Sequence, residues 1–237
     1  MNIQLCTEPV SGVHSSKGTM NGSMCLTVEA ASRLYALNSS IWGGGFQHVR
    51  RIVNRQVSKS YMCDDPEAEM EQFIRGSGFD PGDTAAMLTA AFIEDAGECH
   101  AAANEGLHVS AWVTAGLGNA ARAGTSEGTD RLYPGTINSI VIVDGRMTDA
   151  AMVNAVITAT EAKAAALQEL GITARNSTQL ATGTTTDAVL VAVTGRGELY
   201  RYAGTATRVG HLIGRTVYEA ALQAMGIYLE RARNRQI

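Results

Sequence analysis

A chain of 237 residues, 45% hydrophobic and 18% charged, is long enough to bury a sizeable core and too apolar for general disorder. Its net charge of −4 leaves no basic footprint for nucleic acid, and no run reaches the ~18 apolar residues of a membrane span. The opening residues lack the basic-then-apolar pattern of a secretory signal, so a cytoplasmic location is expected.

In chain order, residues 24–57 read as strands interrupted by the glycines of WGGGF at 42–46. Residues 63–83, polar and carrying Pro66 and Pro81, read as a surface excursion. Asp83 then caps a predicted helix through TAAMLTAAFIED, ended by Gly97. HVSAWVTAGLG is a strand leading into a Gly-, Thr- and Ala-rich loop at 119–135. TINSIVIVDGRM is the clearest strand, and its continuous apolar centre predicts cover on both faces. A long helix follows near 149–170, capped by Thr148 and closed by Gly171. Its predicted inward stripe is Met152, Val153, Val156, Ile157, Thr160, Ala164, Leu167 and Leu170. DAVLVAV is the next strand and GRGELYRYAG a hairpin return. A last helix runs near 209–232, with Val209, Leu212, Ile213, Val217, Ala220, Ala221, Met225 and Leu229 inward and a fraying charged end. The expectation is a single mixed α+β domain over 1–237, with helices on a sheet of five or more strands.

Cys6, Cys25, Cys63 and Cys99 form no CxxC pair, so free thiols are expected. Cys99 and His100 stand beside Glu98, but neighbours on one strand point apart. His14, His48, His100, His108 and His211 show no paired ligand spacing. Neither a metal nor a cofactor is expected.

Residues 180–193, LATGTTTDAVLVAV, crowd hydroxyls and one acid at the mouth of a buried strand. Thr182, Thr184 and Thr186 can satisfy loop backbone or face a polar ligand. Gly183 permits close backbone approach, and Asp187 needs a partner or a task where loop becomes strand. As a carboxylate it can act as a base, with Thr184, Thr186 or a water as nucleophile. Thr205, Thr207 and Arg208 stand at the start of the last helix, where backbone N–H groups attract anions. On the long helix, Lys163 projects close to the middle of the apolar stripe and Glu161 onto its flank; Lys163 either snorkels to solvent or is partly buried against an acid such as Asp144 or Asp187, lining a pocket. Thr114, Asn119, Thr136 and Asn138 stand at strand ends, as turn residues or as substrate contacts.

The segments LNSSIWGGGFQHVRRIVNRQV, VTAGLGNAARAG, PGTINSIVIVDGRMTDAAMVNAVITATEAKAAALQELGI, ATGTTTDAVLVA and YAGTATRVGHLIGRTVYEA together resemble the adenosylcobinamide amidohydrolase family, over about residues 35–225. The resemblance implies cleavage of the amide joining aminopropanol to a corrin side chain, giving adenosylcobyric acid during corrinoid salvage. It implies a small-molecule, corrinoid-like partner; the apolar helix faces leave a homodimer open. Two positions depart from the family pattern: Thr185 stands where GTGTD has its second glycine, and GTATR replaces GTHTK, putting Ala206 for His and Arg208 for Lys.

Overall fold

The computed structural model describes residues 3–103, 106–125 and 135–234. The elements are β1 (Ile3–Cys6), β2 (Val13–Met20), β3 (Ser23–Asn38), β4 (Gly45–Gln56), α1 (Pro66–Gly76), β5 (Thr84–Thr89), β6 (Gly97–Ala103), β7 (His108–Ala115), β8 (Ala120–Ala121), β9 (Ile137–Val143), β10 (Arg146–Met147), α2 (Asp149–Glu169), β11 (Gly183–Thr184), β12 (Ala188–Val193), β13 (Leu199–Tyr200) and α3 (Arg208–Asn234). Among the described residues nine strands form one sheet, ordered β1-β6-β7-β9-β12-β3-β4-β5, with β2 paired to β3 beside that path.

The apolar run at 140–143 lies in β9, which is buried throughout and hydrogen-bonded to β7 antiparallel and β12 parallel. Its alternating side chains serve two cores. Val141 and Val143, with Val189 and Val191 of β12, pack against α2 and α3. Ile140 and Ile142, with Leu190, face Leu26, Val28, Ile52, Ala85 and Met87. The second core exists because the sheet folds over itself. β3 pairs with β2 and β4 in its first half; after a bulge between Glu29 and Leu34 it pairs with β12 as well. A bulge bends its strand and increases local twist. β4 and β5 are thereby carried across the inner face of β7, β9 and β12. Met70, Phe73 and Ile74 of α1 cover the outer face of that flap, against Cys25, Val53 and Ala86. The order of layers is helix pair, sheet, sheet, single helix.

Several expectations are corrected. Residues 84–89 are strand β5, not helix, because TAAMLT is covered on both sides: Ala86 faces α1, and Ala85 and Met87 face the inner core. Asp83 closes a short 3-10 turn and pairs with Arg33 at 2.9 Å. The polar excursion contains α1: Asp65 accepts from the Ala68 amide as N-cap, and 70, 73 and 74 share one face. α2 keeps its expected bounds and its Thr148 cap. Its buried face, however, is Ala151, Met152, Ala155, Thr158, Ala159, Lys163, Ala166 and Leu167, whereas Val153 and Ile157 are about half exposed. The small side chains face inward because α2 is wedged against both the sheet and α3. β13 makes no hairpin with β12; it pairs parallel with β10. β1, β2 and β6 were not expected. α3 buries the expected residues apart from the half-buried Leu229. Residues 126–134 of the Gly- and Thr-rich loop, and the last three of the charged tail, lie outside the described residues.

No described helix is long and apolar enough to cross a membrane. The four cysteines are free thiols. Cys99 points into the helix-side core while His100 lies edge-on to Trp112 at 5.4 Å, so these neighbours do point apart.

Candidate active site

β9 and β12 run parallel in a register that pairs Asn138 with Ala188, so both strands begin at one end of the sheet. The short ladder of β8 with β11, pairing Ala120 with Thr184 and Ala121 with Gly183, closes beside that end. Strand starts are where side chains and amides escape the ladder. Here they bring Asn119, Thr136, Asn138, Thr184 and Asp187 together from three separate segments of the chain.

Asp187 is the hub. Its Oδ1 accepts from the Ile137 amide at 2.9 Å and from the Thr184 hydroxyl. Its Oδ2 accepts from the Thr184 amide at 3.0 Å and from the Lys163 ammonium, which reaches over from α2. A carboxylate has about four acceptor positions, and this one has four donors. The Lys163 and Asp187 side chains are only 6% and 13% exposed. Of the two readings of Lys163, the buried lysine–acid pair is therefore the one present, with Asp187 rather than Asp144 as the acid. Asp144 pairs instead with Arg196 at 2.8 Å. Gly183 is required by this packing: a Cβ there would stand 2.4 Å from Asp187 Oδ2 and 2.9 Å from Lys163 Nζ. Its freedom makes room for the ion pair.

Around the hub the hydroxyls divide. The Thr184 hydroxyl lies on Asp187 and is 3.2 Å from the Gly135 carbonyl. The Thr186 hydroxyl donates to that same carbonyl at 2.9 Å. The Thr136 hydroxyl reaches the Thr186 carbonyl at 2.7 Å and Asn138 Oδ1 at 3.0 Å. Beneath them runs a buried amide chain: Asn138 Nδ2 donates to Asn54 Oδ1 and to the Leu88 carbonyl, and Asn54 Nδ2 donates to Thr114 Oγ at 2.9 Å. This ties β4 and β5 of the flap to β7 and β9. Asn119 Nδ2 donates to the Gly135 carbonyl and to Thr185 Oγ, both at 2.7 Å. The Thr185 departure thus supplies Asn119 with an acceptor that a glycine side chain lacks.

A hollow of about 850 Å³ opens over this end. Gly135, Thr136, Asn138, Thr186 and Asp187 line it on one side, Ser39, Ser40 and Ile41 on another, and Lys59, Tyr61, Met62 and Cys63 at residues 57–66. Sequence reasoning missed Asn54, Ser40, Lys59, Tyr61 and Met62. Asn54 carried a readable signal, since strand alternation puts it on the same face as Ile52 within RIVNRQV.

The structure does not bring every candidate to this hollow. Thr114, Asn119, Lys163 and Thr184 do not line it, although Lys163 and Thr184 bond to Asp187, which does. Thr182 does not line it either, its Oγ accepting from the Ala123 amide at 2.9 Å. Thr205 and Glu161 line a separate hollow of about 340 Å³ between α2 and α3. Thr207 caps α3, accepting from the Gly210 amide at 3.0 Å, and Arg208 stands 3.7 Å from Glu198. Ala206 is exposed at that helix start and lines neither hollow.

The family model for adenosylcobinamide amidohydrolase matches residues 9–233. The chain is 32% identical over 188 residues to the adenosylcobinamide amidohydrolase of Halobacterium salinarum, covering 77% of this chain and 76% of that protein. It is 30% identical over 196 residues to the protein of the same name from Methanosarcina mazei, covering 79% and 86%. An uncharacterised Methanocaldococcus jannaschii protein, MJ1613, is 31% identical over 205 residues, covering 76% and 78%. With a match over nearly the whole sequence and a buried acid, lysine and hydroxyl set at one end of its sheet, this chain belongs to the adenosylcobinamide amidohydrolase family.

Proposed function

We propose that this protein hydrolyses a carboxamide of a corrinoid such as adenosylcobinamide, releasing the aminopropanol moiety and adenosylcobyric acid. The observation that carries this reading is the Asp187 carboxylate, which lines a hollow of about 850 Å³ and holds both the Thr184 hydroxyl and the Lys163 ammonium, in a chain of this family.

Amide hydrolysis needs a nucleophile, a base for its proton and donors for the developing oxyanion. Thr184 is favoured over Thr186 as nucleophile, because its proton already points at a carboxylate whereas that of Thr186 points at a neutral carbonyl. It is favoured over a water on Asp187, because all four acceptor positions of that carboxylate are taken. In this reading Thr184 Oγ bonds to the amide carbon as its proton passes to Asp187. The C–N bond breaks and the amine leaves with that proton. Water then cleaves the threonine ester, releasing the carboxylic acid and restoring the hydroxyl. Lys163 holds Asp187 in place and offsets the negative charge; the Thr185 and Thr186 amides are the proposed oxyanion donors.

Ala206 motivates a different substrate within the same chemistry, but its side chain lines neither hollow, which weakens that alternative. The test is incubation with adenosylcobinamide and mass spectrometry for free aminopropanol. Release that falls ~10²-fold or more in Asp187→Asn, with the circular dichroism spectrum unchanged, supports the reading. Absence of release by the wild-type protein overturns the substrate, and tight binding without release marks a non-catalytic corrinoid-binding protein.

A further inference from the structure

The segment at residues 57–66 forms one wall of the hollow and is pinned from behind. The Tyr61 amide donates to the Ser58 carbonyl at 3.0 Å, and its hydroxyl donates to the Glu69 carboxylate of α1. Glu69 in turn meets Arg55 of β4 at 3.0 Å, and the Arg55 guanidinium lies over the Phe73 ring at 4.2 Å. Burial, then the bond to Glu69, pushes the Tyr61 hydroxyl up from its ordinary range. Burial pushes Glu69 up as well, but the Tyr61 bond and the Arg55 charge outweigh it and hold this carboxyl below its usual value. Donor and acceptor therefore keep opposite protonation states across neutral pH.

The residue after this anchor behaves differently. Met62 is 86% exposed, the most exposed large hydrophobic side chain among the described residues, and it stands at the mouth of the hollow. Ile41, Met87 and Leu88 supply further apolar lining, while the polar groups gather at Asp187. A wall that spends a phenol, an acid and an arginine on its position, then presents a bare thioether to water, suits a large flat ligand. Methionine adapts to an irregular apolar surface better than a branched side chain does.

We infer that Met62 is a specificity-determining residue: with Ile41 and Leu88 it forms the apolar face on which the ring system of a large substrate rests while the amide-bearing arm reaches Asp187, and Tyr61 is the residue that positions it. This deepens, and rests on, the proposed corrinoid amide hydrolysis. The polar foot acts on the amide; the apolar mouth selects for the ring.

The test compares adenosylcobinamide with N-(2-hydroxypropyl)propanamide, a ring-free amide with the same leaving group, in steady-state kinetics. Met62→Ala is expected to raise KM for adenosylcobinamide about tenfold, Met62→Glu more, with kcat within about twofold. The kinetics of the small amide stay unchanged. Met62→Leu recovers most, but not all, of the KM increase seen in Met62→Ala, and Tyr61→Phe raises KM by a smaller factor than Met62→Ala. An unchanged corrinoid KM in both Met62→Ala and Met62→Glu overturns the inference, as does an equal change for both amides. If wild-type protein turns over neither compound, the catalytic reading fails separately, and titration of adenosylcobinamide by absorbance decides the ring contact. Weaker binding in Met62→Ala upholds it; equal binding, or none to wild type, sinks it.

Discussion

The Lys163 ammonium and the Asp187 carboxylate meet at the boundary between the helix layer and the sheet, with the bare backbone of Gly183 beside them. Both side chains are largely withdrawn from water, so each depends on the other. Breaking a buried pair by removing one partner costs about 3–5 kcal/mol, more than replacing both with apolar groups. Lys163→Met is therefore expected to lose stability on that scale, together with most turnover. The double variant Lys163→Met, Asp187→Asn keeps an acceptor for the Ile137 and Thr184 amides without the charge, and should recover part of the stability and none of the activity. Urea denaturation of both proteins decides, and a double variant no more stable than the single one contradicts the coupling.

Thr184 and Thr186 differ in where their protons point, and substitution should separate them. Thr184→Val removes the proposed nucleophile and is expected to cut kcat by ~10²-fold or more. Thr184→Ser keeps the hydroxyl and should retain measurable turnover. Thr186→Val loses a bond to the Gly135 carbonyl and should cost less than Thr184→Val. Equal losses from the two valine variants would remove the distinction.

Gly183→Ala tests the close approach. The added methyl would meet the ion pair at 2.4 Å from Asp187 Oδ2, a separation real Cβ atoms do not tolerate. Overpacking of this kind costs roughly 1–3 kcal/mol. Turnover should fall further than the stability loss alone explains, because the group displaced is the proposed base. Thermal melting with kinetics below the transition separates the two effects.

Asn54 bridges the two sheet layers beneath the hollow without lining it. Asn54→Leu leaves Asn138 Nδ2 and Thr114 Oγ each short of a partner in a buried setting. An unsatisfied buried polar group costs ~1–3 kcal/mol. A variant as stable as wild type in urea would show that another group or a water takes over.

Burial lowers the ionisation of His100 and of His108 below the ordinary 6.5. For a basic group whose folded pKa is depressed, the unfolded chain binds protons that the native chain refuses. Stability from these two histidines is therefore complete above pH 6.5 and declines as pH falls from there towards the lower folded values. Denaturation midpoints should drop between pH 7.5 and pH 5.5. The drop should shrink in His100→Gln and His108→Gln, and an unchanged slope in both would assign it to other groups.

Much of the helix layer was legible beforehand. α2 and α3 announced themselves by length, by the Thr148 cap and by the closing Gly171. β9 announced itself by an apolar run with no polar face. The face α2 buries was not legible, because alanines inside and Val153 and Ile157 outside invert the usual rule. β5 was misread for a related reason: an alanine-rich segment covered on both sides carries no alternation to mark it as a strand.

The candidate site divides along the same line. The crowding of Thr182, Thr184, Thr186 and Asp187 at a strand mouth was set by local spacing alone. The chain's own residues determined that an acid and several hydroxyls would share one loop. Only the tertiary structure decided that Asp187, rather than Asp144, is the acid that Lys163 meets, and that Thr205 and Glu161 line another hollow. Caps and periodicities are short-range and survive in any window of sequence. Which strand starts lie side by side, and how a bulge in β3 folds the flap over them, depends on register between segments far apart, and no local pattern encodes that register.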